Sequence, residues 1–203
     1  MIDQVLWFTT RGAGSVALLM LTGVVVLGVL SVHRWQTATW PRFLTAGLHR
    51  NLALTSLVFL GIHIVTAIVD PFTSLGLAAA VIPFASSYRP LWVGVGVIAL
   101  DLLVTLIVTS LVRARLGYRS WRAVHWLAYG AWPLALSHGL GSGSDATAPW
   151  MVALDITCIS AVAVAVLARV LLVRGGSPAE LQQVVAADGL GPAAGSVPWG
   201  SQR

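Results

Sequence analysis

Five stretches of the sequence, near residues 13–32, 48–69, 91–112, 121–140 and 150–173, stay apolar over roughly 20 residues, the length a helix needs to cross a bilayer. Few folds are open to such a chain, because every backbone N–H and C=O inside lipid must be satisfied within its own segment. The expected fold is all-α, a polytopic membrane bundle of five transmembrane helices. Composition points the same way: 57% hydrophobic and 9% charged residues, with a mean hydropathy of +0.85, exclude an average soluble domain. Residues 73–88, apolar but short and broken by Pro83, read as a short interfacial helix or lid between the second and third spans. After Arg174 the chain becomes rich in Gly, Pro, Ser and Ala, so residues 1–174 are expected to form the membrane domain and 175–203 a mobile cytoplasmic tail. The opening MIDQVLWFTTRG has Asp3 and no basic residue ahead of its first apolar stretch. It does not read as a secretory signal, and the first span is expected to stay as an anchor.

Charge orients the bundle. All twelve basic residues are arginine and the pI is about 10.7, yet they gather at the ends of apolar runs rather than along a face. That argues against nucleic acid as a partner and for topology as their role. Arg34, Arg42 and Arg50 follow the first span, Arg113, Arg115, Arg119 and Arg122 follow the third, and Arg169 and Arg174 end the fifth. Short cytoplasmic loops hold such excesses, so these belong inside. The opposite side has Arg11 and Arg89 with Asp3, Asp70 and Asp145, which places the N-terminus outside the cytoplasmic membrane and the C-terminus within the cell.

Imidazole is polar and titrates near neutrality, so a histidine inside a span marks a functional site. His49 and His63 lie in the second span, His125 and His138 in the fourth. These two spans run parallel, which sets His49 level with His125, and His63 level with His138 about 20 Å further out at roughly 1.5 Å per residue. The step of 14 residues from His49 to His63 returns to within about 40° of the same face, whereas the 13 residues from His125 to His138 fall about 140° short of four turns. Pro133, with Gly130 a turn before it, is expected to supply the distortion that corrects this. Two matched pairs suggest two bis-histidine haems. The single Cys158 sits in an apolar run and offers no CxxCH attachment, so any haem is non-covalent and b-type. His33, beside Arg34 and Trp35 at the inner boundary, reads as a non-ligand. An iron with both axial positions filled by protein suits outer-sphere electron transfer. No GxGxxG follows a strand, no P-loop occurs and no stretch could hold a flavin or NAD(P) domain, so electrons must come from elsewhere.

The spacings in GLHRNLALTSLVFLGIHIVTAIVDPF and RAVHWLAYGAWPLALSHG resemble the ferric reductase-like transmembrane domain. That family is shared by ferric reductases, NADPH oxidases and the haem subunit of bacterial methionine sulfoxide reductase systems, and the likeness runs over about residues 12–173. The resemblance implies that His49 and His125 ligate an inner haem and His63 and His138 an outer one, which together carry electrons across the membrane. It also implies an oxidoreductase component passing electrons from a cytoplasmic donor to an extracytoplasmic acceptor such as ferric iron, a redox protein, oxygen or a quinone. The chain departs from larger members in lacking a flavin and nicotinamide domain and in having five rather than six spans. A separate flavin reductase, or membrane quinol, is then the expected donor.

Haem propionates favour arginine partners. Arg50 and Arg122 flank the inner ligands and fit either that role or plain topological anchoring. Arg89 fits an outer propionate or a pair with Asp70. Asp101, mid-way along the third span, needs a partner: an imidazole N–H, a proton, or Thr105 one turn on, with a structural hydrogen bond favoured. Trp132 lies between the ligand levels, and Gly12, Gly14, Gly23 and Gly28 on the first span permit close helix approach. Two other classes stay open: a haem-free proton or solute path through the histidines and Asp101, and a haem-binding anchor subunit of a larger oxidoreductase.

Overall fold

The computed structural model describes residues 2–32, 42–73 and 75–175, and among these the regular secondary structure is all helix. The elements in chain order are α1 (Ile2–Val32), α2 (Arg42–Val69), α3 (Leu77–Val81), α4 (Pro90–Leu111), α5 (Arg113–Leu116), α6 (Tyr118–His125), α7 (Ala128–Ser142) and α8 (Pro149–Gly175). His33 and residues 176–203 lie outside the described residues. A compact unit runs to Ala165; the described remainder, to Gly175, is the end of α8 and belongs to a second unit.

Four of the described helices are long and apolar enough to cross a membrane, over Gln4–Ser31, Phe43–Val69, Pro90–Leu111 and Pro149–Leu171. The fourth of the five expected spans is not one continuous helix. It divides into α6 and the 15-residue α7 at Trp126 and Leu127, where the amides of Trp126, Leu127, Tyr129 and Gly130 bond back three residues instead of four. Such winding advances about 20° more per residue than an α-helix, and over these residues recovers roughly half of the angular shortfall between His125 and His138. The correction therefore sits in the turn before Pro133 rather than at it. α7 continues through Pro133, whose ring crowds the carbonyl of Tyr129, at the end of the tightened stretch.

Helix α1 packs along α2, and α4 along α7, with α1 also meeting α7. Thr10 donates to Thr66 across the first pair at 2.8 Å. Leu18, Leu136 and Cys158 form a buried cluster joining α1, α7 and α8, with Trp132 and Leu154 against it. The indole of Trp132 donates to Thr22 Oγ1 at 3.0 Å, and Thr22 returns its own hydrogen to the Leu18 carbonyl. Trp132→Phe keeps a six-membered aromatic ring and loses that bond with the indole's second ring. It should lower stability by about 1 kcal/mol, checked by thermal unfolding in detergent, without altering ligand spectra. At one end Arg11 pairs with Asp145 and donates to Ser144, tying α1 to the α7–α8 connection.

The outer faces are apolar: Val58, Val65, Val104 and Val108 are all exposed. In water such surface would be a liability, whereas in lipid it is the natural contact surface. Length, apolarity and these faces together define an integral membrane protein.

Two facing histidine pairs

His49 and His63 project from α2 towards α6 and α7. The ring centres of His49 and His125 are 6.3 Å apart, and those of His63 and His138 are 6.1 Å apart. The expected partners thus face each other, pair by pair. A metal–imidazole bond of about 2 Å on each side, plus about 1.1 Å from nitrogen to ring centre, separates two axial rings by about 6.3 Å. Both pairs have that spacing.

Three of the four rings are oriented through Nδ1. His49 Nδ1 lies 3.0 Å from the Val24 carbonyl, His63 Nδ1 2.8 Å from that of Thr10, and His138 Nδ1 2.9 Å from that of Trp92. A carbonyl can only accept, so in each case Nδ1 carries the hydrogen and Nε2 presents its lone pair. A metal-ligating histidine is commonly held in this way. His125 differs. Its Nδ1 is buried with no hydrogen-bond partner, and its ring stacks on Trp121 at 4.9 Å and 29°.

The His63–His138 pair opens into an apolar cavity of about 120 Å³ lined by Leu21, Leu60, Val97 and Leu100 among others.

The arginines are less central. Arg50 and Arg122 are exposed beside the His49–His125 pair. Arg89, with a left-handed φ of 41° at the start of α4, donates to the Gly141 carbonyl at 2.6 Å and lies over the Tyr88 ring. Asp70 is buried and accepts from the Phe72 amide at 3.0 Å, closing its own turn. Asp101 is exposed on α4, and the bond from the Thr105 hydroxyl goes to its backbone carbonyl, not to its carboxylate.

Gly14 and Gly28 of α1, read from the sequence only as permitting close helix approach, and Gly96 of α4, which the sequence did not single out, lie directly against His63, His49 and His138. On α1 the signal was present, since the glycines repeat the 14-residue interval of the histidines. Asp155 is buried in α8 with one carboxylate oxygen unpartnered, and a carboxylate early in an apolar run was its visible mark.

The described residues form a membrane helix bundle with two levels of facing histidines, and comparison with known families gives its class. The ferric reductase like transmembrane component family matches residues 11–136, and the chain belongs to that family. The match includes His49, His63 and His125 and ends just before His138. No curated protein and no solved structure matches the chain significantly.

Proposed function

We propose that the chain moves electrons across the membrane through two b-type haems, one between His49 and His125 and one between His63 and His138. The observation that carries this reading is the pair of ring separations, 6.3 and 6.1 Å, each suited to one metal ion between two imidazoles. His49 with His125, and His63 with His138, would each hold one haem, which when bound would supply a reversible one-electron centre. The chain's own residues do the rest. Carbonyls of Val24, Thr10 and Trp92 fix the tautomer and aim of three ligands, and apolar side chains line the His63–His138 level. In this reading α6 and α7 together make a fifth crossing, and the short α3 with its flanking loops lies at the outer interface.

Orientation follows the arginines. Arg50, Arg113, Arg115, Arg119 and Arg122 gather at the His49–His125 end, which is taken as cytoplasmic, and a basic surface there suits an acidic soluble donor. Each electron would enter at that level and leave at the outer one, oxidising a flavin reductase or quinol and reducing an outer acceptor such as ferric iron. In this reading Arg50 and Arg122 would serve inner propionates or act as topological anchors, and Arg89 would serve an outer propionate.

Purified protein should contain two non-covalent haems per chain, with a Soret band that responds to dithionite. Pyridine haemochrome analysis giving none, after haem supplementation during expression, would overturn the reading in favour of a haem-free path. A second reading, that the chain is the haem-binding subunit of a larger membrane assembly, is favoured by Asp101. Its carboxylate is exposed mid-way along α4 among Val104 and Val108, where lipid is a poor neighbour and a partner helix a better one.

A further inference from the structure

The three anchored histidines obey one rule. Each accepting carbonyl lies four residues before a glycine: Thr10 before Gly14, Val24 before Gly28, and Trp92 before Gly96. In an α-helix the carbonyl of residue i−4 already accepts from the amide of residue i, and the Cβ of residue i stands beside it. Glycine removes that Cβ and opens a lateral approach to the carbonyl's second lone pair. A Cβ built at Gly14 would lie 2.8 Å from His63 Nδ1, and one at Gly96 would lie closer still to His138 Nδ1. Real Cβ atoms essentially never approach so near. At Gly28 the distance to the His49 ring is an ordinary 3.5 Å.

The fourth position breaks the rule. Gly28 stands 14 residues after Gly14, whereas 14 residues after Gly96 stands Ser110, which has a Cβ. The Ser110 hydroxyl accepts from the indole of Trp121 at 3.2 Å, and Trp121 stacks on His125, whose Nδ1 is left without a bond.

We infer that Gly14, Gly28 and Gly96 are ligand-positioning residues that expose a backbone carbonyl to His63, His49 and His138, and that His125 is positioned instead by Trp121 held on Ser110. The two ligand levels are therefore built differently. The outer one has two carbonyl-anchored imidazoles, and the inner one has a carbonyl-anchored and a stacked imidazole. This rests on the haem reading above, and the test separates the two.

Haem content and low-spin electron paramagnetic resonance signals are to be compared in the full-length protein and its variants. Wild type should show two low-spin centres; if it holds no haem, the parent reading fails. Given two, Gly14→Ala and Gly96→Ala should each lose the outer centre or turn it high-spin while keeping the inner one, which reports the fold within the same molecule. Gly28→Ala should keep both centres and shift only the inner signal. Gly12→Ala, where an added Cβ meets nothing within 4 Å, should match wild type. Trp121→Leu should move the inner signal alone, and Trp121→Phe, which keeps a stacking ring, should restore much of it. The inference is overturned if Gly14→Ala and Gly96→Ala leave both signals unmoved. It is equally overturned if they lose both centres together, which would make these glycines helix-packing residues. An inner signal indifferent to Trp121→Leu would remove the His125 assignment.

Discussion

Replacing His63 or His138 with alanine should leave one haem per chain in place of two, with the inner site intact. His49→Ala or His125→Ala should do the reverse. The expectation follows from the way the rings face each other in two separate pairs, at 6.3 and 6.1 Å, with no histidine shared between levels. On the proposed reading alanine would remove one of the two imidazoles that hold a haem and leave a void beside the other. Haem content by pyridine haemochrome, together with loss of one set of low-spin features, reads the effect directly. His33→Ala should keep both haems. If His33→Ala lost a haem while His49→Ala kept two, the assignment on α2 would be wrong.

Transmembrane delivery should fall by at least about tenfold in His63→Ala, while reduction at the inner level persists. The two levels are 14 residues apart along α2, which at 1.5 Å per residue is roughly 20 Å, most of the apolar thickness of a bilayer. A relay lacking its outer station must cross that gap in one step. The measurement uses sealed vesicles of known orientation, with reduced flavin and a reductase on the arginine-rich side and a membrane-impermeant ferric chelate on the other. Absorbance changes of the inner site should follow donor addition as in wild type, and ferrous product on the far side should nearly vanish. Undiminished delivery would take the outer site off the path. Reduction that proceeds only when donor is placed on the opposite side would reverse the proposed orientation.

Much of this arrangement is legible in the sequence because it depends on local periods. The 14 residues between His49 and His63 return to one face of a helix whatever surrounds it, and apolar runs of about 20 residues announce helices in lipid. The fourth span is harder to read. Pro133 draws attention as a helix breaker, yet the change of winding lies at Trp126 and Leu127, where four amides bond back three residues. A proline states that one hydrogen bond is missing; packing of the neighbouring turns decides where the helix absorbs it. The carboxylates behave similarly. Asp101, mid-span, invites a role at the site but faces outward, while Asp155, which the sequence did not single out, is buried. Which side of an almost wholly apolar helix turns inward is set by its neighbours, since apolar pattern alone scarcely distinguishes the faces.

The sequence by itself determined that the chain is a helical membrane protein of the ferric reductase like family, with histidines at two levels, because hydropathy, charge and helical spacing act within single segments. Only the tertiary structure decided that His49 faces His125 and His63 faces His138, and that carbonyls of Val24, Thr10 and Trp92 receive three of the four rings. A glycine in a helix reads as small wherever it stands. Its meaning here comes from the side chain of another helix that fills the space where its Cβ would be, and contacts between helices distant in sequence are fixed by packing alone.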